Sequence, residues 1–193
     1  MTTKRQQILD SALQLFAEQG VEGTSTAQIA KTAGVAKATL FHHFENKSLL
    51  VDELFRELKQ TLFNTIFQGI GSSSAPLYSR MNQLWLGGID WASVHPDAMK
   101  FFSNIHFHPT TEKRQSIVTE LFTTLDENIR SGQESGELLT LDIELVRHFI
   151  HSHFLISVNW LLDQKQLSIE EQQNYVQQSF DMCWRAIGGK QPD

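Results

Sequence analysis

Gly23-Thr24-Ser25-Thr26-Ala27-Gln28-Ile29-Ala30-Lys31-Thr32-Ala33-Gly34-Val35-Ala36-Lys37-Ala38-Thr39-Leu40-Phe41-His42-His43-Phe44-Glu45-Asn46-Lys47-Ser48-Leu49-Leu50 is the stretch that decides the fold. Ser25 and Gln28, three residues apart, form a capping-box pair that opens a short helix over Thr26 to Ala33. Gly34 supplies a sharp turn, and a further short helix runs from Ala36 to Phe44. Ile29 and Ala30 can pack against Val35 and Leu40 across the turn, with the small Ala30 allowing close approach. Two short helices joined this way make a helix-turn-helix. The outer face of its second helix is left open to enter a DNA major groove by its N-terminal end.

Working outward, Lys4 to Gln19 sets Ile8, Leu9, Ala12, Leu13 and Phe16 on one helical stripe, which Gly20 stops. Asn46 caps a long helix over Lys47 to Phe67, with Leu50, Leu54, Leu58 and Leu62 at successive turns. The run from Gly69 to Pro76 reads as a linker. Beyond it a helix carrying Met81, Trp85, Gly88 and Trp91 ends at His95-Pro96, and a brief one follows to Phe107. Ile117, Val118, Leu121, Phe122, Leu125 and Ile129 define the next, fading at Gly132 and Gly136. Asp142 opens a helix to Asp163 that is apolar on nearly every side. Ser168 with Glu171 opens the last one, striped by Val176, Phe180, Cys183, Trp184 and Ile187. Nine helices and no strand predict an all-α chain of two domains. Residues 1–47 form a three-helix helix-turn-helix head and residues 48–193 a helical ligand-binding and dimerisation body, with helix 47–67 connecting them.

The net charge of −6 argues at first against nucleic acid. Its distribution answers the objection. Lys4, Arg5, Lys31, Lys37 and Lys47 outnumber Asp10, Glu18, Glu22 and Glu45 in the first 50 residues, so the acidity lies in the body. No apolar run reaches the roughly 18 residues of a membrane span, and the N-terminus lacks a secretory pattern. With the single Cys183, these features read as a cytoplasmic protein without a disulfide framework. Nucleophile elbow, phosphate-cradling glycine loop and His-Glu-x-x-His are all missing, so no enzyme is expected. His148 and His151 share a helix face, but no strong metal spacing accompanies them, and neither metal nor cofactor is expected.

The quoted stretch, preceded by Ala12-Leu13-Gln14-Leu15-Phe16-Ala17-Glu18-Gln19-Gly20, closely resembles the N-terminal signature of the TetR family of bacterial repressors. The resemblance is specific over residues 4–50. It implies a dimeric DNA-binding transcriptional regulator, a repressor released by a small apolar or aromatic ligand. It also implies that Thr26 touches phosphate, that Lys37 and Thr39 approach bases or nearby phosphates, and that His43 and Lys47 clamp phosphates. Two positions depart from the family: Phe41 stands where Tyr is usual, and Ala36 stands where Ser often caps the recognition helix. Arg5, beside Lys4, reads as an arm reaching phosphate, and His42 as a further DNA contact.

A dimer presents two heads to half-sites about 34–36 Å, or a multiple, apart. Helices 142–163 and 169–187 suit its interface, because the first is too apolar for one side of a small monomer to cover. In the family the last two helices pair with their copies. The double-stranded operator and an unknown small-molecule effector are the other partners. Trp85, Phe102, His106, Phe122, Phe154 and Trp160 are the candidate effector contacts. Helix 47–67 is the expected lever between effector and DNA, and the linkage must be reciprocal.

Overall fold

The computed structural model describes residues 2–68, 75–106, 112, 116 and 122–190, with the side chains of Phe67, Gln68 and His106 outside that set. Nine helices are delineated among the described residues: α1 (Lys4–Gly23), α2 (Thr26–Thr32), α3 (Lys37–His43), α4 (Lys47–Gln68), α5 (Leu77–Val94), α6 (Pro96–His106), α7 (Thr123–Glu134), α8 (Ile143–Asp163) and α9 (Ile169–Ala186). No strand occurs among those residues. The all-α expectation holds.

Packing divides the chain into two compact units. One takes Met1–Thr61 with His95–Val118, and the other Leu62–Val94 with Thr119–Asp193. This division differs from the expected boundary at residue 47, because α6 packs with the helix-turn-helix. In the first unit the Phe16 ring stacks on Phe101 at 5.9 Å, and the Asn104 amide donates to the Phe16 carbonyl at 3.1 Å. Ile8, Leu9, Phe16, Ile29, Leu40 and Leu50 have no exposed surface and form the core of this unit.

Local chemistry sets the helix ends. The two bonds of the Ser25–Gln28 capping box both form, Gln28 N–H to Ser25 Oγ at 3.2 Å and Ser25 N–H to Gln28 Oε1 at 2.8 Å. Asn46 and Asp142 cap α4 and α8 through the amides of Leu49 and Leu145, each at 2.9 Å. Ser168 and Glu171 close a second capping box at α9. Gly20 breaks α1 at φ +74°, but one more turn follows it to Gly23.

The helix expected from Ile117 onward, fading at Gly132 and Gly136, is described only in its later part. Residues 117–121 lie outside the described residues, and α7 continues through Gly132 to Glu134. Gly132 does not end the helix because its missing side chain makes room for neighbours. A Cβ there would fall 2.4 Å from Leu77 and 2.7 Å from Leu138.

In the second unit Trp184 and Phe180 of α9 meet Tyr78 of α5 edge-on, at 5.6 and 5.2 Å. The Tyr78 hydroxyl donates to Asp181 at 2.9 Å. The expectation that α8 is apolar all round translates into two faces. Val146, Leu155 and Val158 are buried, while Leu145, Phe149, Ile156 and Trp160 lie exposed at spacings that keep them on one stripe.

Candidate functional site

The turn between α2 and α3 is built by backbone hydrogen bonds. Val35 N–H reaches back to the Ala30 carbonyl at 3.0 Å, and Gly34 N–H to that of Lys31 at 3.2 Å. This is the Schellman pattern, and it needs a left-handed residue after the helix, supplied by Gly34 at φ +65°. Leu40 and Ile29 then meet with no exposed surface, which fixes which side of α3 faces inward. At the α3 start, Ala36 makes no side-chain cap bond, as its residue type dictates.

The opposite side of α3 faces water. Lys37, Ala38, Phe41, His42 and His43 are all exposed, and Thr39 is half-buried. The Lys37 ammonium sits 5.8 Å from the centre of the Phe41 ring, one turn further along the helix. The ring thus occupies the place of the family's tyrosine and steadies the lysine instead. Thr26 is half-buried at the first turn of α2, where helix N–H groups and the helix dipole favour an anion.

Two expected phosphate contacts are committed elsewhere. The Lys47 ammonium donates to the carbonyl oxygens of Val21 at 2.8 Å and Thr24 at 3.1 Å, pinning the loop after α1 to the start of α4. Arg5 does not extend as an arm. It pairs with Glu53 and Glu57 of α4, each at 3.3 Å, and lies 5.5 Å from the centre of the Phe44 ring.

Sequence reasoning passed over Lys59. It is buried on α4, with its ammonium 4.4 Å from the centre of the Phe102 ring and 5.7 Å from that of Phe55. Burial pushes its pKa down to about 7. The signal was present: Phe55, Lys59 and Leu62 follow each other at four and three residues, placing a lysine on the apolar stripe.

The candidate effector contacts have different surroundings within their own units. Phe102 packs in the first unit against Lys59, Phe55 and Phe101. His106 has its side chain outside the described residues. Trp160 is 42% exposed and stacks on Tyr175 at 4.2 Å, an outward position rather than an interior one. Phe122 meets Phe63 at 4.9 Å and His151 at 6.1 Å. Trp85 and Phe154 do meet, edge to face at 5.2 Å. Aromatic type alone did not separate interior from surface.

Among the described residues, no group of three or more His, Cys, Asp or Glu side chains is arranged to hold a metal, and no helix is long and apolar enough to cross a membrane.

Comparison with known proteins converges on one family. The sequence model of the bacterial regulatory proteins of the tetR family matches residues 8–54. A solved TetR-family transcription regulator from Shewanella sp. PV-4 is 37% identical, covering 96% of this chain and 98% of its own, with a TM-score of 0.89. The HTH-type transcriptional repressor KstR2 of Mycolicibacterium smegmatis is 25% identical, over 88% of this chain and 84% of its own. The fatty acid metabolism regulator protein of Bacillus subtilis is 29% identical, over 76% of this chain and 77% of its own.

Proposed function

The chain belongs to the TetR family of bacterial transcriptional regulators, and from that premise we propose that it is a homodimeric repressor, released from a double-stranded operator by a small apolar or aromatic effector. The observation that carries this reading is the solvent-facing row of α3. Leu40 anchors one side of a short helix while Lys37 and its neighbours stand free of the protein on the other. In this reading Lys37 and Thr39 contact base edges or adjacent phosphates, while Thr26, His42 and His43 position the duplex. Lys47 acts chiefly by holding the loop after α1, and Arg5 by tying α1 to α4.

The dimer forms through α8 and α9. The stripe Leu145, Phe149, Ile156 and Trp160, with Met182 exposed on α9, is an apolar surface that a soluble monomer rarely leaves bare. An apolar effector agrees with the aromatic interior of the body and with the fatty acid metabolism named for one relative. The protein acts in the cytoplasm as a regulator, without catalysis.

A gel shift with the DNA flanking the protein's own gene tests the proposal. A complex of dimer stoichiometry is expected, with affinity that falls steeply as salt rises because phosphate contacts release counterions. A monomeric complex, or binding indifferent to sequence, contradicts it.

A further inference from the structure

Trp85 is 5% exposed, on a face of α5 that also buries Met81, Gly88 and Ala92. His153, Phe154 and Phe180 surround it, with ring centres 5.6, 5.2 and 6.0 Å away. Gly88, one turn on, lets the Phe154 ring come close; a Cβ there would stand 2.8 Å from it. The indole is therefore well packed, yet its Nε1–H is buried and has no acceptor. One turn before it, Asn82 Oδ1 is also buried and has no donor. Residues three apart share a helix face, so an open donor and an open acceptor lie on the same face of α5.

A buried polar atom left unpaired weakens a fold, and native proteins leave few of them. This pair has a definite chemical complement. A hydroxyl accepts from one neighbour and donates to another. A carboxylate would satisfy Trp85 but turn a lone pair on Asn82 Oδ1, and an ammonium would do the reverse.

We propose that Asn82 and Trp85 form the polar end of the effector site, and that the effector is an uncharged molecule whose apolar body carries a hydroxyl group received by both residues. The proposal rests on the reading that the body holds an effector, and it names the class.

The test uses the full-length dimer and three probes sharing one bicyclic body: 1-naphthol, naphthalene and 1-naphthoate. Calorimetry gives affinities, and the Trp85 indole resonance in a nitrogen-15 correlation spectrum, assigned by its loss in Trp85→Phe, reports the site. The expected result is that 1-naphthol shifts that resonance and binds at least tenfold more tightly than either partner probe. Trp85→Phe and Asn82→Leu should each reduce the preference below threefold. Asn82→Leu should also raise the Tm of the probe-free protein, since it replaces an unpaired polar group by an apolar one of similar shape. Absence of 1-naphthol binding, an undiminished preference in both variants, or a lower Tm for Asn82→Leu overturns the proposal. The expected preference in the unaltered protein, lost in both variants, with operator affinity unmoved by any probe would uphold the site while removing its role in repression.

Discussion

The helix-turn-helix and the helical body differ in how completely they satisfy their own polar groups. Around α1 to α3, the buried Thr24 hydroxyl donates toward the carbonyls of Gly20 and Leu15 at 2.9 and 3.3 Å, and Lys47 caps two more carbonyls. In the body, Asn82 Oδ1, Trp85 Nε1, Asp126 Oδ1 and Arg147 Nε are buried without partners. A module that must present one fixed surface to a rigid duplex gains from closing every bond internally. A module that answers to a ligand keeps groups that its own fold does not use.

The half-buried pair of Asp126 and Arg147 offers the most forceful way to break that contrast. They meet through one contact of 2.7 Å, and burial holds the Asp126 carboxyl above the usual carboxylate range despite the adjacent guanidinium. Arg147→Met alone should destabilise the protein by about 2–4 kcal/mol, because it leaves a half-buried carboxylate without its partner. Combining it with Asp126→Leu should restore or exceed the original stability in chemical denaturation. A double variant as poor as the single one would show that the body depends on this pair.

In the head the opposite is expected. Lys47→Ala leaves the Val21 and Thr24 carbonyls without their donor and should cost about 1.5–3 kcal/mol of unfolding free energy. Operator affinity should fall with it while sequence preference stays constant. A loss of affinity at unchanged stability would assign Lys47 to the phosphates instead.

Lys59 extends the comparison to pH. Its folded pKa of about 7 lies below the unfolded value of 10.5, so between these values the unfolded chain holds more protons. Stability from this group should therefore rise with pH from 7 towards 10.5 and be flat below that window. Lys59→Met should abolish the rise, as measured by denaturation at a series of pH values. Identical profiles for the two proteins would mean that the lysine is solvated.

The smallest effect belongs to Arg5. Its bonds to Glu53 and Glu57 are partly exposed, and exposed pairs contribute about 0–1 kcal/mol. Arg5→Ala should leave operator affinity within about twofold. A larger loss, steeply dependent on salt, would restore it as a phosphate-reaching arm.

What was legible in the sequence follows the range of the interactions. Ser25, Gln28 and Gly34 act within a few residues of themselves, so the capping box, the turn and the direction of α3 were readable from the chain. Arg5 and Lys47 are held by partners 23 to 52 positions away, and nothing near either residue announces that. Gly132 and Gly136 together marked where α7 fades, and it ends between them at Glu134; that Gly132 also makes room for Leu77 and Leu138 was not readable from the chain. The effector contacts were the least legible. Trp85, Phe102 and Trp160 look alike in sequence and sit in a core, a cation box and an exposed stripe. Asn82 carries a buried, open polar atom that no spacing or motif in the sequence marks.

The most direct test of the whole account is the affinity of Lys37→Ala for the native operator and for operators carrying single base-pair changes, measured by fluorescence anisotropy at fixed salt. The exposed face of α3 predicts a loss of about 1–3 kcal/mol on the native site, together with loss of discrimination at one base pair. Native affinity with discrimination intact at every position would mean that this face does not read DNA.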